Sequence, residues 1–159
     1  MQTHIIRTLG LVTIIIICIF IMVGCVNKRS SGKVNIPELG LFMNLPSGWR
    51  VDKRDPRMFL DAANPDDNFG MVEIYPLKGK TLAEFLEENI GEIRTISKIT
   101  RRISGFEAIE IVTEAEYTVI EVNIGKGDEV IRVSFRTLKT DFPKFEASFR
   151  SALQSIEIR

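Results

Sequence analysis

An acidic stretch in the first half of the chain carries the side chains best suited to bind a metal ion. Asp61, Asp66 and Asp67 lie close together, with asparagines between and after them. Calcium takes about six to eight oxygen ligands, and a loop rich in Asp and Asn can wrap around one ion. The same residue types also form ordinary turns, and the alternating acidic register of a calcium loop is absent. We therefore expect a turn without metal or other cofactor, and these three carboxylates are the candidates if a metal does bind.

Side chains that could support hydrolytic catalysis are scarce. The only histidine is His4, and the two cysteines are Cys18 and Cys25, all near the N-terminus. Ser30 and Lys33 have the S-x-x-K spacing of penicillin-recognising enzymes, but they lie in a polar segment without the further motifs of that class. No pair of acidic residues can be assigned opposed pKa values from the sequence. We expect a non-enzymatic protein, and a hydrolase using carboxylates or a Ser–Lys pair is the alternative.

The N-terminal segment has the order of features found in export signals. Arg7 precedes an uncharged run, Leu9–Val23, and the small residue Gly24 comes before Cys25. A short basic start, an apolar stretch of about fifteen residues and a small residue at the cut mark such signals. Met22-Val23-Gly24-Cys25 resembles the lipobox of bacterial lipoproteins, whose cysteine thiolate becomes a thioether to diacylglycerol. The pattern predicts a signal peptide over residues 1–24 and lipidation of Cys25.

Two other interpretations fit the same segment: a secretory signal cut without lipidation, and a single transmembrane helix. Leu9–Val26 is just long enough to span a bilayer at about 18 residues. Lys28, Arg29 and Lys33 follow the run, so an uncleaved anchor would tend to keep the rest of the chain in the cytoplasm. A lipidated Cys25 would instead hold the protein on a cell membrane, facing away from the cytoplasm. If the cell has two membranes, Val26 in place of an aspartate favours the outer one.

The residues after the predicted signal peptide divide by composition into a tether and one folded domain. Their charge does not indicate a nucleic-acid partner. Residues 25–37 are predicted to be the lipidated cysteine and a polar tether, and residues 38–159 the domain. The formal net charge of the whole chain is +0. A binder of nucleic acid needs a clustered basic surface, which the pattern does not indicate. We therefore expect membrane contact through the lipid and an unidentified protein partner in the envelope.

The predicted domain alternates strand patterns with two helical patterns. Thr81 and Glu84 form a capping box before an apolar stripe, which predicts the first helix. Pro143, shortly after Asp141, is typical of the first turn of a second helix. Strands are predicted over residues 41–45, 49–51, 58–60, 71–75, 99–103, 108–113, 120–124 and 131–136, with a short extended end at 155–158. The sum predicts the α+β class, with one antiparallel sheet and two helices.

Trp49 is the single tryptophan and the one candidate partner-binding residue that the sequence offers. An exposed tryptophan is a frequent anchor in protein interfaces. Trp49 ends an apolar strand, however, and such residues usually pack inward with the indole nitrogen satisfied. Both interpretations remain open at this level, with core packing favoured.

The start of the domain resembles that of a known family. A strand over residues 40–45 runs into Pro46-Ser47-Gly48-Trp49, which is similar to the opening of PsbP-like domains and of the related Mog-type and DcrB-type proteins. The capped helix, the turn at Gly105-Phe106-Glu107-Ala108 and the closing Phe145, Phe149 and Ser155-Ile156 follow in the order expected of that family.

The resemblance covers about residues 38–159 and carries expectations for fold and function. It implies an antiparallel sheet sandwiched by helices, an α/β/α sandwich, here preceded by a signal helix. It also implies a non-catalytic accessory or assembly protein that binds a larger envelope complex. No ligand-binding residue of the family can be matched here. A small-ligand or metal-binding envelope protein is the alternative.

Overall fold

Ten strands and two α-helices make up the part of the chain that the structure describes. The computed structural model describes residues 32–90 and 93–159, so the predicted signal helix, the lipobox and Cys25 lie outside the described residues. The strands are β1 (Lys33–Ile36), β2 (Leu41–Asn44), β3 (Trp49–Val51), β4 (Met58–Asp61), β5 (Phe69–Pro76), β6 (Arg94–Ile103), β7 (Phe106–Glu114), β8 (Tyr117–Lys126), β9 (Glu129–Leu138) and β10 (Glu157–Ile158). The α-helices are α1 (Leu82–Ile90) and α2 (Phe142–Gln154), and Pro37–Leu39 form a 3-10 turn.

The strands form two antiparallel sheets. The smaller sheet has the order β1-β2-β10, and the larger has the order β3-β4-β5-β9-β8-β7-β6. Long hairpins connect β6 to β9 in sequence, and β5 joins this group by pairing with β9 along its full length. The alternating apolar pattern in the sequence explains why β8 is a strand with one buried face: Ile120, Val122 and Ile124 are fully buried on it. The predicted hairpin between β8 and β9 is confirmed.

The main core fills the space between one face of the large sheet, α2 and the small sheet. Phe149 and Leu153 of α2 are fully buried there. Phe149 stacks on Phe135 of β9, with 4.9 Å between ring centroids. Large aromatic side chains bury much apolar area per residue, so this cluster contributes strongly to hydrophobic stabilisation on the α2 side.

Helix α1 covers part of the other face of the large sheet. The Thr81 amide donates to Glu84 Oε2 at 2.8 Å, and the Glu84 amide donates back to Thr81 Oγ1 at 3.3 Å. This is the predicted capping box, and it begins a helix that packs Leu82, Phe85 and Leu86 against Ile109, Ile111 and Val130. The large sheet therefore lies between two helices, which confirms the predicted α+β fold. Neither described α-helix is long and apolar enough to cross a membrane.

The structure corrects the predicted organisation at two points. The first described strand begins at Lys33, inside the stretch predicted as a tether, and its Val34 and Ile36 are buried where β1 pairs with β2. Four residues of alternation are too few to stand out from a polar segment. The strands also divide into two sheets instead of one, since Pro46-Ser47-Gly48 ends the first apolar strand and the chain enters the large sheet only at Trp49.

Candidate functional site: the open face of the large sheet

The described helix α1 has nine residues, and the described part of the chain leaves some of the sheet face beside it uncovered. Cross-strand pairs place Phe69 opposite Arg136, Arg136 opposite Val119, and Val119 opposite Thr113. Because strand side chains alternate between faces, this row lies on the same face as Ile111 and α1. We call Phe69, Thr113, Tyr117, Val119 and Arg136 the open face.

Arg136 is the central side chain of the open face. Its guanidinium carbon lies 3.5 Å from the centroid of the Tyr117 ring and 5.0 Å from that of Phe69. Its Nε is buried without a hydrogen-bond partner, and no acidic side chain within the described residues forms an ion pair with it. Contact with two aromatic rings restricts the position of the guanidinium and stabilises its charge by cation–π attraction. The geometry therefore orients a set of hydrogen-bond donors that the described chain does not use.

Arg132, four residues earlier on the same face, has both hydrogen-bond and acidic partners within the domain. Its Nε donates to Asn123 Oδ1 at 2.9 Å and lies 3.6 Å from Glu121 Oε1. Its guanidinium also stacks on Tyr75, at 4.7 Å from the ring centroid. The Tyr75 hydroxyl donates to Glu73 Oε1 at 2.7 Å. Burial, and then the hydrogen bond to Glu73, raises the pKa of Tyr75. The Arg132 cluster is thus satisfied internally, whereas Arg136 is not.

A shallow cleft of about 300 Å³ lies beside Arg136. Arg136 lines it together with an acidic residue and five others: Glu116, Ile93, Thr113, Ala115, Tyr117 and Val119. The volume is at the lower end of the range for small-molecule pockets, and the cleft is open to solvent. Arginine and aromatic residues around a small apolar depression are the composition enriched at the centres of protein interfaces.

Trp49, the candidate partner anchor from the sequence, lies in the core and not on this face. It is 2% exposed. Its ring contacts Phe135 and Phe149 edge-on, at 5.3 Å between centroids in both cases. A side chain with so little accessible area cannot bind a partner directly. The structure thus corrects the anchor interpretation and favours core packing, since three aromatic side chains converge here.

Asp61, the first metal candidate, is occupied by internal hydrogen bonds. It is 7% exposed, and its Oδ2 accepts from Asn68 Nδ2 at 3.0 Å. Asn68 Oδ1 in turn accepts from the hydroxyl of Thr137 at 2.7 Å. The second oxygen of Asp61 accepts from the Ala63 amide at 3.0 Å. Asp61 is therefore linked to β9 through Asn68, which connects the loop after β4 to that strand.

The other two metal candidates do not join Asp61 in one site. Asp66 is exposed, and Asp67 Oδ2 accepts from Asn64 Nδ2 at 2.9 Å within the turn. Across residues 32–90 and 93–159, no three His, Cys, Asp or Glu side chains are grouped as metal ligands. The turn formed by this stretch accounts for its composition.

Sequence reasoning did not find Arg136 or Tyr117. Both lie at outward positions of alternating strands, where polar or half-exposed residues are ordinary. Their significance comes from register, because Phe69 on β5 and Tyr117 on β8 reach Arg136 only after the strands pair. A pair of arginines four residues apart on β9 was the one signal available in the sequence.

Comparison with known proteins finds relatives in structure only. No family model matches the sequence, and no curated protein matches it. Cyanobacterial PsbP (CyanoP) from Synechocystis superposes with a TM-score of 0.59 at 15% identity, over 85% of this chain and 96% of that one. LpqN of Mycobacterium tuberculosis, involved in cell envelope biogenesis, has a TM-score of 0.58 at 13% identity, over 74% and 82%. A protein of unknown function from Pseudomonas aeruginosa has a TM-score of 0.55 at 16% identity, over 80% and 96%. The PsbP-like fold expected from the sequence is thereby confirmed.

Proposed function

We propose that the protein is a lipid-anchored accessory or assembly protein of the cell envelope, acting as a non-catalytic protein-binding module through its open face. The lipobox-like Met22-Val23-Gly24-Cys25 supports attachment to a membrane by lipid on Cys25. The likeness in fold to LpqN, a protein involved in cell envelope biogenesis, supports a role in the same compartment. The domain would then face away from the cytoplasm.

Arg136 is the observation that carries the binding role. Its guanidinium is stacked on Tyr117 and has no acidic partner among the described residues. A partner carboxylate or backbone carbonyl could accept from the outer nitrogens without displacing an existing ion pair. Because the two rings already restrict the side chain, little rotamer entropy would be lost on binding. The adjacent cleft would take an apolar side chain of the same partner.

Affinity purification from detergent-solubilised membranes tests this role. We expect the wild-type protein to recover a stable protein partner and Arg136→Ala to recover about tenfold less or none, as for an interface hot spot. Arg136→Lys should fall between them, because lysine keeps the charge but loses the planar fork. Lys53→Ala, at an exposed position of the β3–β4 turn, is the matched control and should behave as wild type.

Two outcomes would overturn the proposal. One is that wild-type protein recovers no stable partner; the other is that Arg136→Ala recovers it as well as wild type does. Circular dichroism of each variant separates loss of binding from loss of fold. Replacing Arg136 should leave the fold intact, since no described hydrogen bond depends on its guanidinium.

A further inference from the structure

Strand β6 is a long edge of the large sheet, and no other described strand pairs with its outer side. It has ten residues and pairs only with β7 among the described strands. The opposite edge strand, β3, has only three residues. Natural sheets usually shorten or cover their edges, because unpaired amide and carbonyl groups there can accept another strand. The length of β6 is therefore unusual for an edge without a partner.

The exposed aliphatic side chains of the described chain are concentrated at this edge. Ile93, Ile96 and Ile99 are 52%, 49% and 49% exposed, and they are the exposed large hydrophobic residues of the described part. Single exposed aliphatic residues are ordinary, but three within one edge strand and its entry give this edge more apolar surface than an ordinary exposed strand has.

The same edge is basic. Arg94, Lys98, Arg101 and Arg102 lie within β6, with no Asp or Glu between Ile93 and Phe106. Two of these charges are paired with acidic residues of β7: Arg94 with Glu114 at 3.2 Å and Arg101 with Glu110 at 3.3 Å.

Lys98 and Arg102 keep their charge uncompensated within the described chain. Arg102 lies opposite Glu107 in the register, but its guanidinium instead donates to the Gly105 carbonyl at 2.9 Å. Lys98 lies opposite Ile111 and Thr100 opposite Ile109. Lys98, Thr100 and Arg102 therefore share the α1 face of the edge, while Ile99 points to the α2 face.

We propose that the outer edge of β6 binds an extended acidic segment of a partner protein, which adds to the large sheet as a further antiparallel strand. Main-chain hydrogen bonds would supply affinity, and side-chain pairs across the new ladder would supply specificity. The register requires acidic residues four positions apart, opposite Lys98 and Arg102, and an aliphatic residue opposite Ile99. This surface goes beyond the open face and does not include Arg136.

Charge decides between this partner and a second copy of the chain. Two β6 strands paired about Thr100 would set Lys98 of each copy against Arg102 of the other, and like charges directly opposite destabilise a sheet. The register shift between Thr95 and Ser97 further limits how many residues a second copy could pair. Basic residues thus oppose self-association while favouring an acidic strand, which gives the edge its selectivity.

Titration with a synthetic peptide tests the proposal on full-length protein in detergent. The peptide is extended, with glutamates at its first and fifth positions and valine at its fourth, and fluorescence anisotropy follows binding. We expect saturable binding that weakens as salt is raised, because exposed charges are screened. The double variant Lys98→Glu/Arg102→Glu should bind at least about tenfold more weakly. Lys53→Glu/Lys78→Glu, which makes the same charge change at exposed positions elsewhere, should bind as wild type does.

Two further peptides make the register itself testable. A peptide with lysines in place of the glutamates should bind the Lys98→Glu/Arg102→Glu variant and not the wild type. A scrambled acidic peptide of the same composition should bind more weakly than the ordered one. Amide protection of residues 97–103 on binding, measured by hydrogen exchange, would support strand addition.

Several results would overturn the proposal. Equal binding of the ordered and scrambled peptides would show that the β6 edge attracts negative charge without recognising the order of residues in a strand. Dimerisation of the wild-type protein, with amide protection at residues 97–103 in the absence of peptide, would identify a second copy as the occupant. Binding of Cys25→Ala protein to anionic vesicles without binding to the peptide would identify a lipid surface. Arg136→Ala should leave peptide binding unchanged. A failure of the β6-edge proposal can therefore be distinguished from a failure of the proposed binding role of the open face.

Discussion

At the residue scale, the buried polar side chains around the β4–β5 loop form a connected hydrogen-bond chain. Thr137 is fully buried and donates to Asn68, which is 3% exposed and donates to Asp61. A buried polar atom without a partner costs far more than a satisfied hydrogen bond contributes, so each member depends on the others. The hydrogen bonds give Asp61 and Asn68 a structural role at this loop.

Asn68→Ala should lower the free energy of unfolding by about 1–3 kcal/mol, because it leaves the Thr137 hydroxyl and one Asp61 oxygen unsatisfied. Urea denaturation followed by tryptophan fluorescence measures it, since Trp49 lies in the core beside this loop's strand. Asp66→Ala, at an exposed position of the same loop, should change stability by less than about 0.5 kcal/mol. Equal effects of the two variants would contradict a structural role for the chain.

The sequence predicted some of these residue roles and missed others. The turn around Asp66 and the core packing of Trp49 could be predicted, because both depend on neighbouring residues in the sequence. Arg136 was not, because an outward arginine on a strand is ordinary until Phe69 and Tyr117 stack on it. Those rings come from strands far apart in the chain and become neighbours of Arg136 only through pairing.

At the element scale, α2 is held by its aromatic stripe. Phe149 is fully buried, and its ring stacks on Phe135 at 4.9 Å and on Phe145 at 5.5 Å between centroids. Phe149→Ala should therefore lower the free energy of unfolding by about 3–5 kcal/mol through lost burial and a cavity. Phe145 is only half-buried, so Phe145→Ala should cost clearly less. Denaturant midpoints of the two variants give the comparison, and equal losses would mean that α2 docks differently.

Helix α1 should lose part of its stability in acid. The hydrogen bond from the Thr81 amide, then that from the Thr81 hydroxyl, lowers the pKa of Glu84 below its ordinary value of 4.5. A carboxyl with a lowered folded pKa stabilises the fold above the unfolded pKa and loses that contribution as pH falls through the folded one. Melting temperatures at about pH 7 and pH 3 should show wild type above Glu84→Gln at neutral pH, with the gap narrowing in acid. A constant gap would show that the ionised carboxylate is not what caps the helix.

Helices and strands with strong local sequence signals could be predicted. Those whose form depends on residues far away in the sequence could not. The capping box and the alternating hairpin of β8 and β9 act over a few residues, so both were found. Strand β6 was predicted only from Ile99 onward, although it begins at Arg94. Most of its residues are exposed on both faces, so it lacks the apolar alternation that marks a half-buried strand. The division into two sheets likewise depends on long-range pairing of β10 with β2.

At the scale of the whole molecule, the two faces of the large sheet are covered unequally. Helix α2 and the small sheet close one face with a continuous apolar core. The shorter α1 closes only part of the other, leaving Arg136 and its aromatic neighbours accessible beside Ile93. The open face and the β6 edge therefore adjoin on one side of the domain, so a single large partner could engage both.

The early start of β1 limits the distance between the proposed anchor and the domain. Because β1 begins at Lys33, the chain from Cys25 to this strand can span at most about 28 Å even when fully extended. A domain tethered this closely would meet partners in or near the same membrane. The high effective concentration of a short tether would compensate for a modest affinity at each surface.

The anchor itself is tested by the intact mass and palmitate labelling of protein extracted from membranes. We expect a chain beginning at Cys25 with added lipid mass, and we expect label and membrane retention to be lost in Cys25→Ala, because nothing else in the proposal holds the domain to the bilayer. An unlabelled chain beginning at Cys25 would indicate a secreted protein whose partners need not be membrane-bound. An unlabelled full-length chain, unaffected by Cys25→Ala, would indicate a transmembrane anchor with the domain in the cytoplasm. The proposed envelope role would then be wrong, and any partners of the open face and the β6 edge would be cytoplasmic proteins. Both binding surfaces could still be tested with the same variants.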